Sequence, residues 1–286
     1  MTRTAVIIPT RACHPDLPEL LKTLLADESL GEACIAVVCN GAEQDPDIVH
    51  ALETLQRLGS SSDERRLELM FLDTPSKPDA LNTGEEIAGD CDITIYIDDD
   101  IRITSGHVGL LKERLLGLGK KAGVVAPRRI VTPGCHWKER LFGSCVLRPP
   151  WVCEAVVIGG IFAVNRAGRS RWDTFPPVAC DDEYVFSRFA HSERALESGC
   201  VATHSFANTW RGTLDQQARW RAASLELRTK KLIGPHPGTH RTRGMLIRTL
   251  LNPRMIAGLM LVHTVRTSAR LFGRNGLGAN GAWSES

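Results

Sequence analysis

The chain has nine cysteines scattered over 286 residues, and no two of them form a CxxC pair. That excludes the common zinc spacings, and at this length a disulfide framework is not expected either. Reduced thiols in a cytoplasm of bacterial type are the simplest reading. An excess of one charge is also lacking. Lys and Arg total 35 against 33 Asp and Glu, for a net charge of +2, which argues against a dedicated nucleic-acid binder. No run approaches the roughly 18–20 apolar residues that a bilayer-spanning helix needs. The nearest, MIAGLMLV at 255–262, is bounded by Arg254 and His263. An integral membrane placement is therefore not expected, while peripheral attachment stays open. The opening MTRTAVIIPT has too short an apolar run for a secretory signal. Repeats are absent, and no linker interrupts the pattern before about residue 235.

What remains is an ordinary globular composition, 43% hydrophobic and 24% charged, enough for one large domain or a domain with an appendage. The basic residues are unevenly placed, gathering from Arg219 to Arg274 with few acids beyond Glu226.

The first hundred residues alternate strand-like and helix-like patterns. TAVIIPT (4–10), ACIAVVCNG (33–41), LELMFLD (67–73) and DITIYIDDD (92–100) read as strands. DLPELLKTLLADESL, DPDIVHALETLQRLG and DALNTGEEIAG read as the helices between them. This order implies a parallel sheet with helices on its faces, and ligands bind such sheets beyond the carboxyl ends of the strands. The crevice candidates are therefore Thr10, Arg11, Asn40, Gly41, Asp73 to Lys77, and Asp98 to Asp100.

Further on, KAGVVAPRRIV reads as a strand and GCHWKERLFGSCVLRPPW as loop or mixed structure. VVIGGIFAVNRAG (156–168) reads as a strand with a glycine pair, DDEYVFSRFAHSE as a helix, and CVATHSFANTWRG as a short strand with a loop. LDQQARWRAASLELRTKKLIG reads as a helix with a basic face, and residues 242–273 as two amphipathic helices broken at Pro253. The final NGLGANGAWSES is expected to be disordered.

One aspartate after a strand usually caps a turn. Three in a row, Asp98, Asp99 and Asp100, repel one another unless a cation offsets them, and hard oxygen ligands suit Mg2+ or Mn2+. The second acidic run, ACDDEYVFSRF (179–189), offers two readings. Asp181 and Asp182 are either first-turn acids favoured by the helix dipole or a carboxylate that takes a proton from a hydroxyl. His204 reads equally as a packed side chain or as a ligand. Lys77, in SKPDALNTG (76–84), stands just beyond a strand where a phosphate could sit.

Taken in order, VIIPTRACHPDLPELLKTLL, VVCNGAEQD, SKPDALNTG, IYIDDD, GGIFAVNR and DDEYVFSR resemble the motifs of the family-2 glycosyltransferases of the GT-A fold, over about residues 4–225. These are inverting enzymes that use nucleotide-sugar donors. The resemblance implies an α/β, Rossmann-like, mostly parallel sheet flanked by helices over 1–235, a C-terminal amphipathic helical segment over 236–274, and a disordered tail over 275–286. It places Pro9, Thr10, Arg11, Asn40 and Asp45 beside the nucleoside, and Lys77 and Asn82 on the donor. Asp98 and Asp100 are the acids of the DxD motif, with Asp100 on the metal, Asp98 its partner and Asp99 sharing either task. Gly159 and Gly160 admit the donor sugar. Asp182 is implied as the general base, with Asp181 or Glu183 in reserve and Arg188 six positions on. His204 matches a metal-binding histidine found in some GT-A enzymes.

Two departures stand out. Cys39 occupies a position where the family often has an aspartate that reads the base. QQARW (216–220) matches a Q-x-x-R-W signature of processive polysaccharide synthases, making Gln216, Gln217, Arg219 and Trp220 acceptor or diphosphate contacts, or simply an amphipathic helix with a buried tryptophan.

The resulting expectation is transfer of a sugar, with inversion, from a nucleoside-diphosphate sugar (a UDP-sugar first) to a sugar, lipid-linked or other hydroxyl acceptor, with Mg2+ or Mn2+ as cofactor. The competing reading is a non-catalytic nucleotide-sugar-binding or scaffold protein. The basic C-terminal helices leave core packing, a homodimer contact and a membrane-surface foot open, so a cytoplasmic enzyme could also be peripheral at the inner face of the membrane.

Overall fold

The computed structural model describes residues 2–11, 14–41, 45–59, 65–153, 159–235 and 242–272. Eight strands form one sheet: β1 (Thr4–Arg11), β2 (Ala33–Asn40), β3 (Arg65–Leu72), β4 (Ile93–Ile97), β5 (Arg102–Ile103), β6 (Val124–Val131), β7 (Ile161–Asn165) and β8 (Arg194–His204), in the order β3-β2-β1-β4-β7-β6-β8-β5. β1 pairs in parallel with β2 and β4, and β2 with β3. The parallel sheet read from the sequence is therefore present in the first four strands. All five residues of β4 are buried, as befits strands covered on both faces.

Beyond β4 the sheet turns mixed. β7 runs antiparallel to β4, from Ile93 opposite Asn165 to Ile97 opposite Ile161. β6 is antiparallel to β7 and parallel to β8, with a register shift between Pro127 and Arg128. The backbone N–H of Asp98 donates to the Gly160 carbonyl at 2.6 Å, tying the end of β4 to the turn that starts β7.

The helices of the first half are α1 (Leu17–Leu25), α2 (Pro46–Gly59) and α3 (Lys77–Ala88). α1 buries Leu17, Leu20, Leu21 and Leu24, the one face its leucine spacing dictates. α3 begins at Ser76, whose hydroxyl accepts from the Asp79 N–H at 3.3 Å, with Pro78 in the first turn. This cap is what places Lys77 at the helix mouth, facing the sheet end.

In the second half come α4 (His107–Gly117), α5 (Trp137–Leu147), α6 (Pro150–Cys153), α7 (Arg166–Arg169), α8 (Asp181–Phe186), α9 (Trp210–Thr229), α10 (Arg243–Leu250) and α11 (Pro253–Phe272). Much of the GCHWKERLFGSCVLRPPW segment is thus helical, where loop or mixed structure was expected. Its polar face hides a buried stripe of Glu139, Phe142, Gly143 and Leu147. β8 is longer than expected and starts at Arg194, because its first residues are only partly covered and carry no apolar alternation.

The break between α10 and α11 falls at Pro253, where a helix cannot continue through the missing N–H, and the two axes differ by 100°. α11 joins the main body. Val262 and Val265 share a buried cluster with Phe142, Leu147 and Phe206. The expected boundary at 235–236 falls beside residues outside the described set, as does the whole tail at 275–286.

Candidate active site

The carboxyl ends of β1, β2 and β4 and the start of α3 open onto one crevice. Lys77 is its hub. Its ammonium is 2.8 Å from Asp98 Oδ1 and 2.9 Å from Asp181 Oδ1. Burial alone would favour the neutral amine, but the two carboxylates more than offset it and hold the ammonium well above the usual lysine range. Asp98 is pushed up to about 7, first by burial and then by Asp181 and Asp100, against the pull of Lys77. Asp99 faces away from that pair. It accepts a hydrogen bond from the Thr10 hydroxyl, joining the ends of β1 and β4, and burial raises its carboxyl. Asp100 is exposed at the mouth.

Asp182 lies one residue beyond Asp181 but has no lysine. Its Oδ1 accepts from the Cys180 thiol at 3.2 Å and from the Glu183 N–H at 2.7 Å. Burial, then the Asp181 charge, raises its carboxyl. Against it stands Gly159. A Cβ there would collide with the Arg129 guanidinium and lie 3.8 Å from Asp182 Oδ2. Gly160 has φ +70°, a left-handed conformation that suits glycine, and a Cβ on it would strike Ile101 and come within 3.2 Å of the His204 ring. The missing side chains of the glycine pair therefore let Arg129, Ile101 and His204 close in on the backbone at the start of β7.

His204 stands at the end of β8. Its Nε2 is buried with no hydrogen-bond partner. Burial and the nearby Arg129 charge drop its pKa to about 3, so the ring is neutral and offers a lone pair. Among the described residues no three His, Cys, Asp or Glu side chains form a ready-made metal cage. The donors nevertheless fit Mg2+ or Mn2+, which are commonly held by one or two carboxylates together with substrate phosphates. Asp98 and Asp100 supply hard oxygens, and in the Nδ1–H tautomer the orphaned His204 Nε2 has a lone pair to offer a cation.

Other predicted residues fall as follows. Pro9 and Thr10 are buried at the end of β1, past the last β1–β4 pair at Ile7 and Tyr96, and Arg11 follows them. Asn40 is buried at the end of β2, next to Gly41, whose N–H donates to the Leu72 carbonyl. Asp45 is exposed and caps α2 by accepting from Asp47 N–H at 2.9 Å.

Asn82 is engaged elsewhere. Its amide donates to the Phe175 carbonyl at 3.2 Å and accepts from the Phe175 N–H at 2.7 Å, fastening the loop before α8 rather than facing a donor. Arg188 likewise turns away, donating to the Leu232 carbonyl and stacking on Tyr184. Of the QQARW residues, Gln217 is buried and accepts from Arg266 Nε at 3.1 Å, so it fastens α9 to α11 rather than lining the crevice. Gln216 is half-buried, Arg219 is exposed, and Trp220 is 45% exposed with an edge contact to Phe206, so the tryptophan is not the buried residue of that helix.

Arg129 and Cys180 were not singled out from the sequence. Burial lowers the Arg129 pKa, partly offset by Asp182. Its signal was present in APRRIV, a charged pair inside an otherwise apolar strand.

No protein-family profile matches the chain, and no curated protein matches it. Solved structures do. A mannosyltransferase from Pyrobaculum calidifontis, in complex with GDP-Man and Mn2+, is 15% identical with a TM-score of 0.61, over 98% of this chain and 77% of that one. Glucosyl-3-phosphoglycerate synthase from Mycobacterium tuberculosis, in complex with Mn2+, UDP and phosphoglyceric acid, is 17% identical with a TM-score of 0.52, over 82% of this chain and 80% of that one. The same enzyme is also similar in its complex with Mn2+, UDP-glucose and phosphoglyceric acid, with a TM-score of 0.52. The chain has the GT-A fold of these proteins.

Proposed function

We propose that this protein is a metal-dependent glycosyltransferase that moves a sugar from a nucleoside-diphosphate sugar to an acceptor hydroxyl with inversion at the sugar carbon. The observation that carries this is the convergence of Asp98, the orphaned His204 Nε2 and the unpaired-by-lysine Asp182 around the Gly159–Gly160 backbone, whose carbonyl at Gly160 accepts from the Asp98 N–H. The structural neighbours, whose complexes hold GDP-Man, UDP-glucose or UDP with Mn2+, support the same reading.

In this account Thr10, Arg11 and Asn40 flank the nucleoside. Asp98, Asp100 and His204 would hold Mg2+ or Mn2+, which when bound supplies Lewis-acid stabilisation of the departing diphosphate. Lys77 and Arg129 add fixed positive charge beside that leaving group. Asp182 takes the proton of the acceptor hydroxyl as its oxygen attacks the sugar carbon from the face opposite the diphosphate. Burial raises the Asp182 carboxyl, which makes it a stronger base than an ordinary aspartate.

A UDP-sugar is the first donor to test and a GDP-sugar the second, because buried Cys39 offers no charge to read the base. Cys34, Cys39, Cys91, Cys135, Cys145, Cys180 and Cys200 are free thiols, as a reducing cytoplasmic setting would keep them. The test is a panel of nucleotide sugars with Mn2+, scoring nucleotide release by the wild type and by Asp182→Asn. Release by the wild type that Asp182→Asn abolishes supports the proposal. Binding without turnover for every donor would favour the non-catalytic alternative.

A further inference from the structure

The α10–α11 elbow carries an apolar face that no described residue covers. On α10, Leu246, Ile247, Leu250 and Leu251 recur at the spacing of one helix face, and the last two are 70% and 77% exposed. Across the break, Ile256 and Met260 continue that surface, with Met260 66% exposed. Leu250, Ile256, Leu259 and Met260 line one groove between the two helices. Contiguous apolar surface of this kind marks an interaction site rather than chance exposure.

Charge identifies the partner. From Leu227 to Ser284 the chain contains no Asp or Glu, but ten Lys and Arg. Three of these, Arg243, Arg248 and Arg254, are exposed on the same two helices as the leucines. A symmetric dimer would place this patch against itself, setting one basic helix pair against another with no Asp or Glu on α10 or α11 of either copy. An anionic bilayer supplies both missing halves, an apolar layer for the leucines and phosphates for the guanidiniums.

Insertion across the bilayer is excluded for α11 by its other face, where Val262, Val265 and Ala269 are buried and Arg266 holds Gln217 of α9. No single helix among the described residues is long and apolar enough to cross a membrane; α10 and α11 reach that length and composition only as a pair bent by 100°, with one face of α11 packed on the protein. We propose that the α10–α11 elbow is an interfacial foot that lays its leucine face into an anionic lipid surface, with Arg243, Arg248 and Arg254 on the headgroup phosphates. It holds the domain at the membrane through α9 and α11, whose Gln217–Arg266 bond ties the foot to the body of the sheet. The inference is independent of the sugar-transfer reading.

The test is co-sedimentation of the full chain with vesicles of phosphatidylcholine alone and of phosphatidylcholine mixed with phosphatidylglycerol. The wild type is expected to pellet with the mixed vesicles, weakly or not at all with phosphatidylcholine, and less at high salt. Leu250→Glu with Leu251→Glu is expected to abolish pelleting. Arg243→Ala, Arg248→Ala and Arg254→Ala together are expected to weaken it by on the order of a hundredfold, about fivefold per charge. All five side chains are exposed, so unchanged melting temperatures serve as the folding control. A wild type that stays in the supernatant with the mixed vesicles overturns the proposal. So does undiminished pelleting of the leucine variant. A dimer in light scattering that the leucine variant dissolves would reassign the face to a second copy.

Discussion

Lys77 Nζ lies 2.9 Å from Asp181 Oδ1, and Asp182, the next residue, has no such partner. Two adjacent acids that the sequence could not separate are thereby distinguished. Asp181 is almost fully buried and neutralised by the lysine that also holds Asp98. Its charge is committed to closing the crevice, and the proton-accepting part falls to Asp182.

Removing that lysine should therefore cost more than a surface ion pair would. Lys77→Met leaves Asp181 buried without a counter-charge, at about 2 kcal/mol once the partial exposure of Asp98 is allowed for. Chemical denaturation should show this loss, and adding Asp181→Asn to Lys77→Met should recover part of it. A single variant as stable as the wild type would mean that the triad contributes nothing to folding.

His204→Ala makes the opposite prediction for stability. The ring nitrogen satisfies nothing in the protein, so melting temperature should hardly move. The Mn2+ dependence of UDP binding should weaken tenfold or more, since ligand-sphere losses cost at least roughly that much. Calorimetric titration of UDP at varied Mn2+ separates the two effects, and unchanged Mn2+ dependence would remove His204 from the site.

Acid should weaken donor binding in the same titration. The Asp98 carboxyl is raised to about 7 from its ordinary 3.8. In the metal-free fold the protonated form is therefore favoured, and its contribution to stability is present at low pH and lost as pH rises toward 7. A cation needs the carboxylate and reverses that preference. UDP affinity in the presence of Mn2+ should be flat above about 7 and fall by about tenfold per unit below it. A pH-independent affinity would show that Asp98 does not give up a proton on binding.

Arg129→Met removes the charge beside Gly159 while keeping its bulk. Turnover should fall by on the order of a hundredfold, with donor affinity less affected, because a charge facing the leaving group acts mainly in the transition state. Steady-state kinetics with a fixed acceptor measure the split. A raised KM with kcat unchanged would make Arg129 a ground-state binding residue.

The β1-to-β4 half of the fold was legible because each buried parallel strand is a continuous apolar run closed by a turn residue, as in Thr4–Arg11 and Ala33–Asn40. The rule that ligands gather at strand ends then led directly to Asp98 and Lys77. Legibility failed where a position is set by long-range packing. Asn82 matches its motif yet clasps Phe175, 93 residues away, and Gln217 is turned toward Arg266 by the docking of α11. α5 was obscured by the polar surface it shows to solvent, although Phe142 on its other face is fully buried. No local pattern records such partners.

The most direct measurement compares product formation by the wild type and Asp182→Asn, with Mn2+ and the donor that the nucleotide-sugar panel selects. Loss of a proton acceptor should lower kcat by about a hundredfold to ten-thousandfold, with donor affinity and melting temperature retained and an inverted product from the wild type. An Asp182→Asn variant that transfers sugar at the wild-type rate, or a wild-type product of retained configuration, would contradict the account.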